Sequence, residues 1–271
     1  MSHKIKLRNY FSLEFNPFSS NIPWKKLYCS ASVKAFIRSI KILTNTGGFA
    51  LLTGDPGLGK SQILRILKGS LEEIVDMKVS VLSRPQSNIP DIYNELGEIF
   101  EVKIPLSFNR WNGFKKLRNQ WIEHIQSTLF QPIVIIDEAQ LMQEKTLNEL
   151  RLLSSLDLDS KNALTIILAG DNRLLSNLRT ESLLPLESRI KTRFNLEKQS
   201  VEELELFLTH LLTEAKNPNL FTQKTKQLLI ESSNGNYRSM IILGNNLLEF
   251  AFSKEKQIID EKLFFEFGSN F

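Results

Sequence analysis

The amino-acid sequence predicts an α/β protein with a five-stranded parallel sheet, followed by a small all-helical domain. Short apolar runs, which suit strands buried on both faces, alternate with segments of helical periodicity. This alternation favours parallel strands joined by right-handed helical crossovers. After Gln199 only helical periodicity continues, so we place a domain boundary near residue 198.

The elements follow in chain order. Residues 1–30 are expected to be irregular, because Asn16-Pro17 and Ile22-Pro23 are turn signals. Apolar residues spaced by three and four from Val33 predict the first helix. Strands are predicted at residues 49–52, 78–83, 133–137, 163–169 and 192–196. Further helices are predicted from Gly59 onward and at residues 90–100, 113–130, 144–156, 173–180, 200–216, 222–233, 237–252 and 260–267. The predicted division is a basic extension with the first helix (1–46), a sheet-containing base (47–198) and a helical lid (199–271).

Composition excludes several classes of protein. The 271 residues are 42% hydrophobic and 24% charged, which is typical of a globular chain and not of a disordered one. No run approaches the roughly 18 apolar residues of a membrane-spanning helix, and no secretory signal is visible, so we expect a cytoplasmic protein without a membrane partner. The single cysteine, Cys29, fits a reducing compartment. The three histidines are scattered and form no metal-binding pattern.

The strongest motif is a phosphate-binding loop between a predicted strand and a predicted helix. It matches G-x-x-x-x-G-K-[ST], and its residues are Gly54, Asp55, Pro56, Gly57, Leu58, Gly59, Lys60 and Ser61, with Gln62 following. Glycines let backbone N–H groups surround phosphate oxygens, and a helix N-terminus favours the anion. Lys60 is expected to reach the β- and γ-phosphates of ATP, and Ser61 to bind Mg²⁺.

A second motif places two carboxylates after the apolar strand at 133–137. Ligands bind at the carboxyl ends of strands in such sheets. Asp137 is therefore expected to hold Mg²⁺, and Glu138 to polarise the attacking water. An acidic helix cap is the alternative for this pair.

A third feature is a basic segment with interleaved aromatic residues. Residues 102–122 carry five basic and no acidic side chains. Such a segment suits contact with nucleic-acid phosphates, while a solvated helix face with aromatic residues in the core is an equal alternative. The candidate DNA-binding residues are Lys103, Arg110, Lys115, Lys116 and Arg118.

The paired nucleotide motifs resemble those of the AAA+ ATPases, with a P-loop base and a helical lid. Tyr10-Phe11-Ser12-Leu13 and Asn16-Pro17-Phe18 before the loop, and Asp137-Glu138-Ala139-Gln140 after it, are similar to the secretion-pathway ExeA-like ATPases. They are equally similar to transposon accessory ATPases of the TniB/TnsC and Mu B group.

The resemblance implies further site residues. Asp171 and Asn172 would take the polar sensor position near the γ-phosphate, although an acidic Asp171 departs from the family pattern and a helix cap is the alternative. Arg189, or else Arg193, would be an arginine finger acting on a neighbouring subunit. Arg238, in a Gly-x-x-Arg segment, would link the lid to the phosphates.

The function that this resemblance implies first is an ATP-dependent DNA transposition accessory protein. It would assemble as a ring or helical filament of identical subunits on double-stranded DNA, without sequence preference, and recruit or activate a transposase. The alternatives are a secretion-assembly ATPase of the ExeA type and a helicase-loader-like remodelling ATPase.

Overall fold

The computed structural model describes residues 3–82, 84–86, 88–99, 110–128, 131–156, 161–162 and 164–269. The chain forms two compact units, each built from separated stretches of sequence. We call the first the lid unit; it comprises Met1–Cys29, Pro56–Gln62 and Glu197–Phe271. The second, the sheet unit, comprises Ser30–Asp55 and Ile63–Leu196. The three-segment division expected from the sequence groups the loop at 56–62 differently and remains a prediction.

The strands of the sheet unit confirm the predicted fold class. They are β1 (Gly48–Gly54), β2 (Met77–Leu82), β3 (Gln131–Ile136), β4 (Ser155–Leu156), β5 (Lys161–Asn162), β6 (Thr165–Gly170) and β7 (Ile190–Leu196). Five of them form a parallel sheet in the order β2-β3-β6-β1-β7, while β4 and β5 form a small antiparallel pair. Every residue of β1 and of β6 is buried, which explains their continuously apolar sequences.

Apart from α1 and α8, which the sequence did not predict, the helices follow the predicted order. They are α1 (His3–Tyr10), α2 (Ala31–Thr44), α3 (Lys60–Glu72), α4 (Ile89–Ile99), α5 (Arg110–Thr128), α6 (Glu144–Ser154), α7 (Asn172–Leu178), α8 (Leu184–Glu187), α9 (Val201–Glu214), α10 (Gln223–Ser233), α11 (Tyr237–Ser253) and α12 (Glu261–Ser269). None of the helices in the described part of the chain combines the length and apolar character that crossing a membrane requires.

One sequence expectation is wrong at the N-terminus. Residues 1–30 were expected to be irregular, yet α1 occupies His3–Tyr10 and a short 3-10 helix occupies Trp24–Lys26. The α1 sequence is mostly polar, and packing within the lid unit supplies its stability. Leu7 is buried, and the Tyr10 ring meets the Phe252 ring edge-on with centroids 5.3 Å apart.

Candidate functional site

The phosphate loop has the backbone conformation that its glycines predict. β1 ends at Gly54 and α3 begins at Lys60, so the loop leads directly into a helix N-terminus. Gly57 and Gly59 have φ of 88° and 100°, a region that residues with a side chain rarely adopt. Lys60 is buried to 8% exposure, Ser61 is exposed and Gln62 is half-buried.

The start of α11 holds this loop within the lid unit. The side-chain amide of Asn236 donates to the carbonyl oxygen of Pro56 at 3.1 Å, and the backbone N–H of Arg238 donates to the carbonyl of Gly57 at 3.1 Å. A Cβ added at Gly57 would lie 2.4 Å from Asn236 Oδ1, so the close approach requires glycine there. The Tyr237 ring similarly lies against Gly59, 3.4 Å from where a Cβ would stand. The loop is therefore shaped by three residues that follow Gly235.

The sequence did not indicate that Asn236 and Tyr237 contact the loop. Asn236 caps α11, because its Oδ1 accepts from the N–H groups of Arg238 and Ser239 at 2.9 and 3.2 Å. An asparagine directly before a helical pattern is a capping signal, which could have drawn attention to Asn236. Arg238, the predicted lid arginine, is exposed, and its guanidinium makes no ion pair with the described residues.

A half-buried polar cluster includes Tyr237 in the lid unit. Burial raises the pKa of Tyr28 from its usual 10.0 to about 12, and a hydrogen bond that Tyr28 donates to Glu203 contributes in the same direction. Burial also raises the pKa of Tyr237, with the negative charge of Glu203 as the next cause. Both rings contact Phe207, with centroids 5.8 and 4.4 Å away.

In the sheet unit, β3 delivers the predicted carboxylate pair to the carboxyl end of the sheet. Asp137 is half-buried and accepts a hydrogen bond from the backbone N–H of Glu138 at 2.9 Å. Glu138 is exposed and adopts the left-handed conformation, with φ 54° and ψ 36°. Gln140, two residues on, donates to Glu138 Oε2 at 2.5 Å. The bond from Gln140 was not anticipated from the sequence.

The end of β6 lies beside β1 and carries the predicted sensor residues. Asn172 donates from its amide to Asp55 Oδ1 at 2.8 Å, next to the phosphate loop. Asp171 caps α7 by accepting from the Arg173 N–H and also pairs with the Arg173 guanidinium at 2.6 Å. Asp171 thus makes the helix-cap contact that the sequence left open as its alternative.

The two candidate finger arginines lie near the start of β7. Arg189 directly precedes β7 and donates from Nη1 to Ser155 Oγ at 2.7 Å. Arg193 is exposed and pairs with Glu187 at 2.7 Å. Because β7 runs parallel to β1, Arg189 lies at the amino end of the strands, whereas the phosphate loop continues from the carboxyl end of β1.

The basic aromatic segment is described only from Arg110 onward, in α5, so Lys103 lies outside the described residues. Lys115 and Lys116 are exposed, and Trp111 retains 69% exposure. The Arg118 guanidinium lies over the Phe114 ring, 5.7 Å from its centroid. The Phe114 ring is partly buried against the core. The exposed face of α5 therefore combines one indole with two lysines.

Comparisons with known proteins agree on the type of domain. Residues 43–178, half of the chain, match the family described as AAA domain. General secretion pathway protein A from Aeromonas hydrophila is 28% identical over 250 residues, covering 90% of this chain. The chain spans only 45% of the length of that relative.

Solved structures share the fold. The ORC2 protein of Aeropyrum pernix, in ADPNP–ADP complexes, matches with a TM-score of 0.70 at 17% identity, covering 94% of this chain and 71% of that one. The ORC1 protein of Aeropyrum pernix, in complex with DNA, matches with a TM-score of 0.67 at 14% identity, covering 97% and 69%. At these identities the likeness concerns the fold alone.

Proposed function

Because the chain belongs to the AAA domain family, we propose that it binds ATP at its phosphate loop and hydrolyses it with Mg²⁺. The observation that carries the proposal is the loop itself. The loop leads into the N-terminus of α3 and has glycines at φ 88° and 100°. Hydrogen bonds from residues 236 and 238 hold it in this conformation. Such a loop presents backbone N–H groups to phosphate oxygens.

The chain's own residues divide the work of hydrolysis. Lys60 neutralises charge on the β- and γ-phosphates, and Glu138 orients and polarises the attacking water. Ser61 and Asp137 fit Mg²⁺, because they offer hard oxygen donors and this cation is commonly held by one or two protein ligands together with substrate phosphates. The cation would supply charge neutralisation on the phosphate oxygens. Asn172, bonded to Asp55, and Arg238, at the loop, are the proposed sensors of the γ-phosphate.

We propose that the active form is a homo-oligomer, ring or filament, in which Arg189 of one subunit completes the site of the next. The support is the position of Arg189 before β7, remote from the end of β1 in its own chain. Hydrolysis would then depend on assembly.

For the cellular role we propose a secretion-type ATPase, whose nucleotide cycle drives the assembly of a partner complex. The similarity to General secretion pathway protein A over 90% of this chain supports this role over transposition. Because the chain spans 45% of that relative, the partner complex is proposed by its class alone.

A transposition accessory ATPase, acting with a transposase on double-stranded DNA, is the second candidate. The exposed Trp111, Lys115 and Lys116 on α5 favour it, since an indole and two cations suit stacking and phosphate contact. No base-reading motif accompanies them, so DNA binding would be independent of sequence.

Duplex DNA separates the two roles. Assembly by gel filtration and phosphate release are measured with and without DNA, and DNA binding is measured over a salt series with a non-hydrolysable ATP analogue. A secretion-type ATPase assembles and turns over equally without DNA, whereas the second candidate requires ATP-dependent binding that salt weakens steeply.

If the α5 face binds DNA, the double variant Lys115→Ala/Lys116→Ala should flatten the log–log salt slope by about 1.8, at roughly 0.9 per phosphate contact. The matched control removes two exposed lysines elsewhere, Lys145→Ala/Lys262→Ala, and should keep the wild-type slope. Equal slopes in both double variants would exclude the α5 face, and absence of DNA binding by the wild type would exclude the second candidate.

A further inference from the structure

We propose that Gln140 is a positioning residue for hydrolysis: its carboxamide holds the carboxylate of Glu138 in one orientation and ties it to the end of β6. The proposal rests on the proposed ATPase function and adds a residue to its machinery. Gln140 does not touch the reacting atoms; it acts through Glu138.

The two ends of the Gln140 amide make two different hydrogen bonds. Nε2 donates to Glu138 Oε2 at 2.5 Å, and Oε1 accepts from the backbone N–H of Asp171 at 3.3 Å. A backbone N–H requires an acceptor and a carboxylate requires a donor, so only one orientation of the amide satisfies both. Gln140 is 8% exposed, which shields these bonds from competing water.

Glu138 needs such a partner. Glu138 is exposed and lies outside any α-helix or strand, in the left-handed conformation before a short 3-10 helix. An exposed glutamate samples several rotamers, whereas a general base must stay within hydrogen-bond reach of the proton that it accepts. Gln140 occupies Oε2, and Oε1 accepts no hydrogen bond from the described residues. Oε1 is therefore the oxygen that can face the attacking water.

The end of β6 is shaped to admit the Gln140 side chain. A Cβ added at Gly170 would lie 2.6 Å from Gln140 Oε1 and 2.9 Å from a methyl carbon of Leu174. A larger residue at 170 would therefore displace the amide oxygen from the Asp171 N–H. The small residue at the end of β6 preserves the bond.

The same turn connects Glu138 to the beginning of the phosphate loop. Asp171, whose N–H holds Gln140, is followed by Asn172, and Asn172 donates to Asp55 Oδ1 at 2.8 Å. A continuous path of hydrogen bonds and one peptide step therefore runs from Asp55 to Glu138. The orientation of the base is fixed relative to the strand that carries the loop.

The test compares steady-state ATP hydrolysis and ATP affinity in the wild type and in variants of Gln140 and its surroundings. Gln140→Leu keeps the bulk of the side chain and removes both hydrogen bonds. We expect kcat to fall at least about tenfold, a part of the 10²–10⁴ that general-base catalysis contributes, while KM and affinity stay within about twofold. Gln140→Glu, which places a second carboxylate against Glu138, should lower kcat further. Gln143→Leu is the matched control, since Gln143 is exposed, and it should hydrolyse ATP like the wild type.

Gly170→Ala disturbs the same bond without changing Gln140. It should lower kcat at unchanged KM, and the double variant with Gln140→Leu should be no slower than Gln140→Leu alone, because both changes act through one contact. Wild-type kcat in Gln140→Leu, or additive losses in the double variant, would overturn the role of Gln140 and leave the proposed ATPase function intact. If Glu138→Gln leaves turnover unchanged, Glu138 is not the base and the role of Gln140 fails, whereas a wild type that does not hydrolyse ATP would refute the proposed function itself.

Discussion

Arg189→Ala is expected to abolish hydrolysis at the site of a neighbouring subunit, because Arg189 lies far from the end of β1 that leads into the phosphate loop. Ile190, the first residue of β7, pairs with Phe49, whereas the loop continues from Gly54 at the far end of β1. Five steps along a strand, at roughly 3.3 Å each, place Arg189 about 16 Å from the start of the loop. That separation exceeds what a rotamer change can bridge.

The size of the effect follows from the chemistry of a finger. An arginine supplied to the γ-phosphate contributes roughly 10³–10⁵ in kcat, so Arg189→Ala should lose at least about 10³. ATP affinity should be nearly unchanged, because Lys60 and the loop remain. Lys60→Ala should also be inactive, because this variant keeps Arg189 but loses the contact of Lys60 with the phosphates.

Mixing the two inactive variants tests the arrangement directly. In a head-to-tail assembly formed at random from equal amounts, about a quarter of the interfaces join an intact loop to an intact Arg189. Phosphate release should therefore recover to about a quarter of the wild-type rate. Repeating the mixture with Arg193→Ala identifies which arginine is the finger.

Ser155→Ala is the control for a structural role. It removes the oxygen that Arg189 contacts at 2.7 Å and leaves the guanidinium in place. A loss equal to that of Arg189→Ala would mean that the arginine acts inside its own chain. Failure of a co-assembled mixture to recover activity would refute the reasoning from strand direction.

Three further predictions concern the loop, the base and the lid. Lys60→Ala should weaken binding of a fluorescent ATP analogue at least about tenfold, whereas Lys68→Ala, which removes a partly exposed lysine paired with Glu72, should not; equal affinities would contradict the loop assignment. Glu138→Gln should keep ATP affinity and slow phosphate release by about 10²-fold or more, and wild-type turnover would exclude it as the base. Because the pKa of Tyr28 is raised to about 12, its contribution to stability is complete below pH 10.0 and is lost as the pH rises towards 12. The free energy of unfolding, measured with urea from pH 9 to 11.5, should fall less steeply in Tyr28→Phe; parallel curves would contradict this.

The sheet could be predicted from the sequence because burial on both faces leaves a strong signal. The predicted strand at 133–137 and the observed β3 at Gln131–Ile136 differ by only one or two residues at each end. The missed α1 has the opposite character: a mostly polar sequence of eight residues is marginal by itself, and contacts such as that of Tyr10 with Phe252 stabilise it. Local sequence carries no information about such partners.

The surroundings of the phosphate loop could likewise be predicted only in part from the sequence. Its glycines and Lys60 follow from the motif, because the backbone must adopt positive φ close to an anion. Asn236 and Tyr237 could not be placed against it from sequence, since they lie far along the chain. Gln140 was visible only as part of a motif, and its bond to Glu138 depends on the space left at Gly170.

The contact between the loop and the start of α11 can form only late in biosynthesis. Pro56 and Asn236, which are hydrogen-bonded, are separated by 180 residues. At about 5–20 residues per second, a ribosome adds the partner of the loop roughly 10–40 s after the loop itself. During this interval the emerging chain holds a glycine-rich loop without the hydrogen bonds that shape it. Nascent chains and truncated products that end before Asn236 should therefore compete poorly for nucleotide, and full affinity should develop only when synthesis of the lid unit is nearly finished.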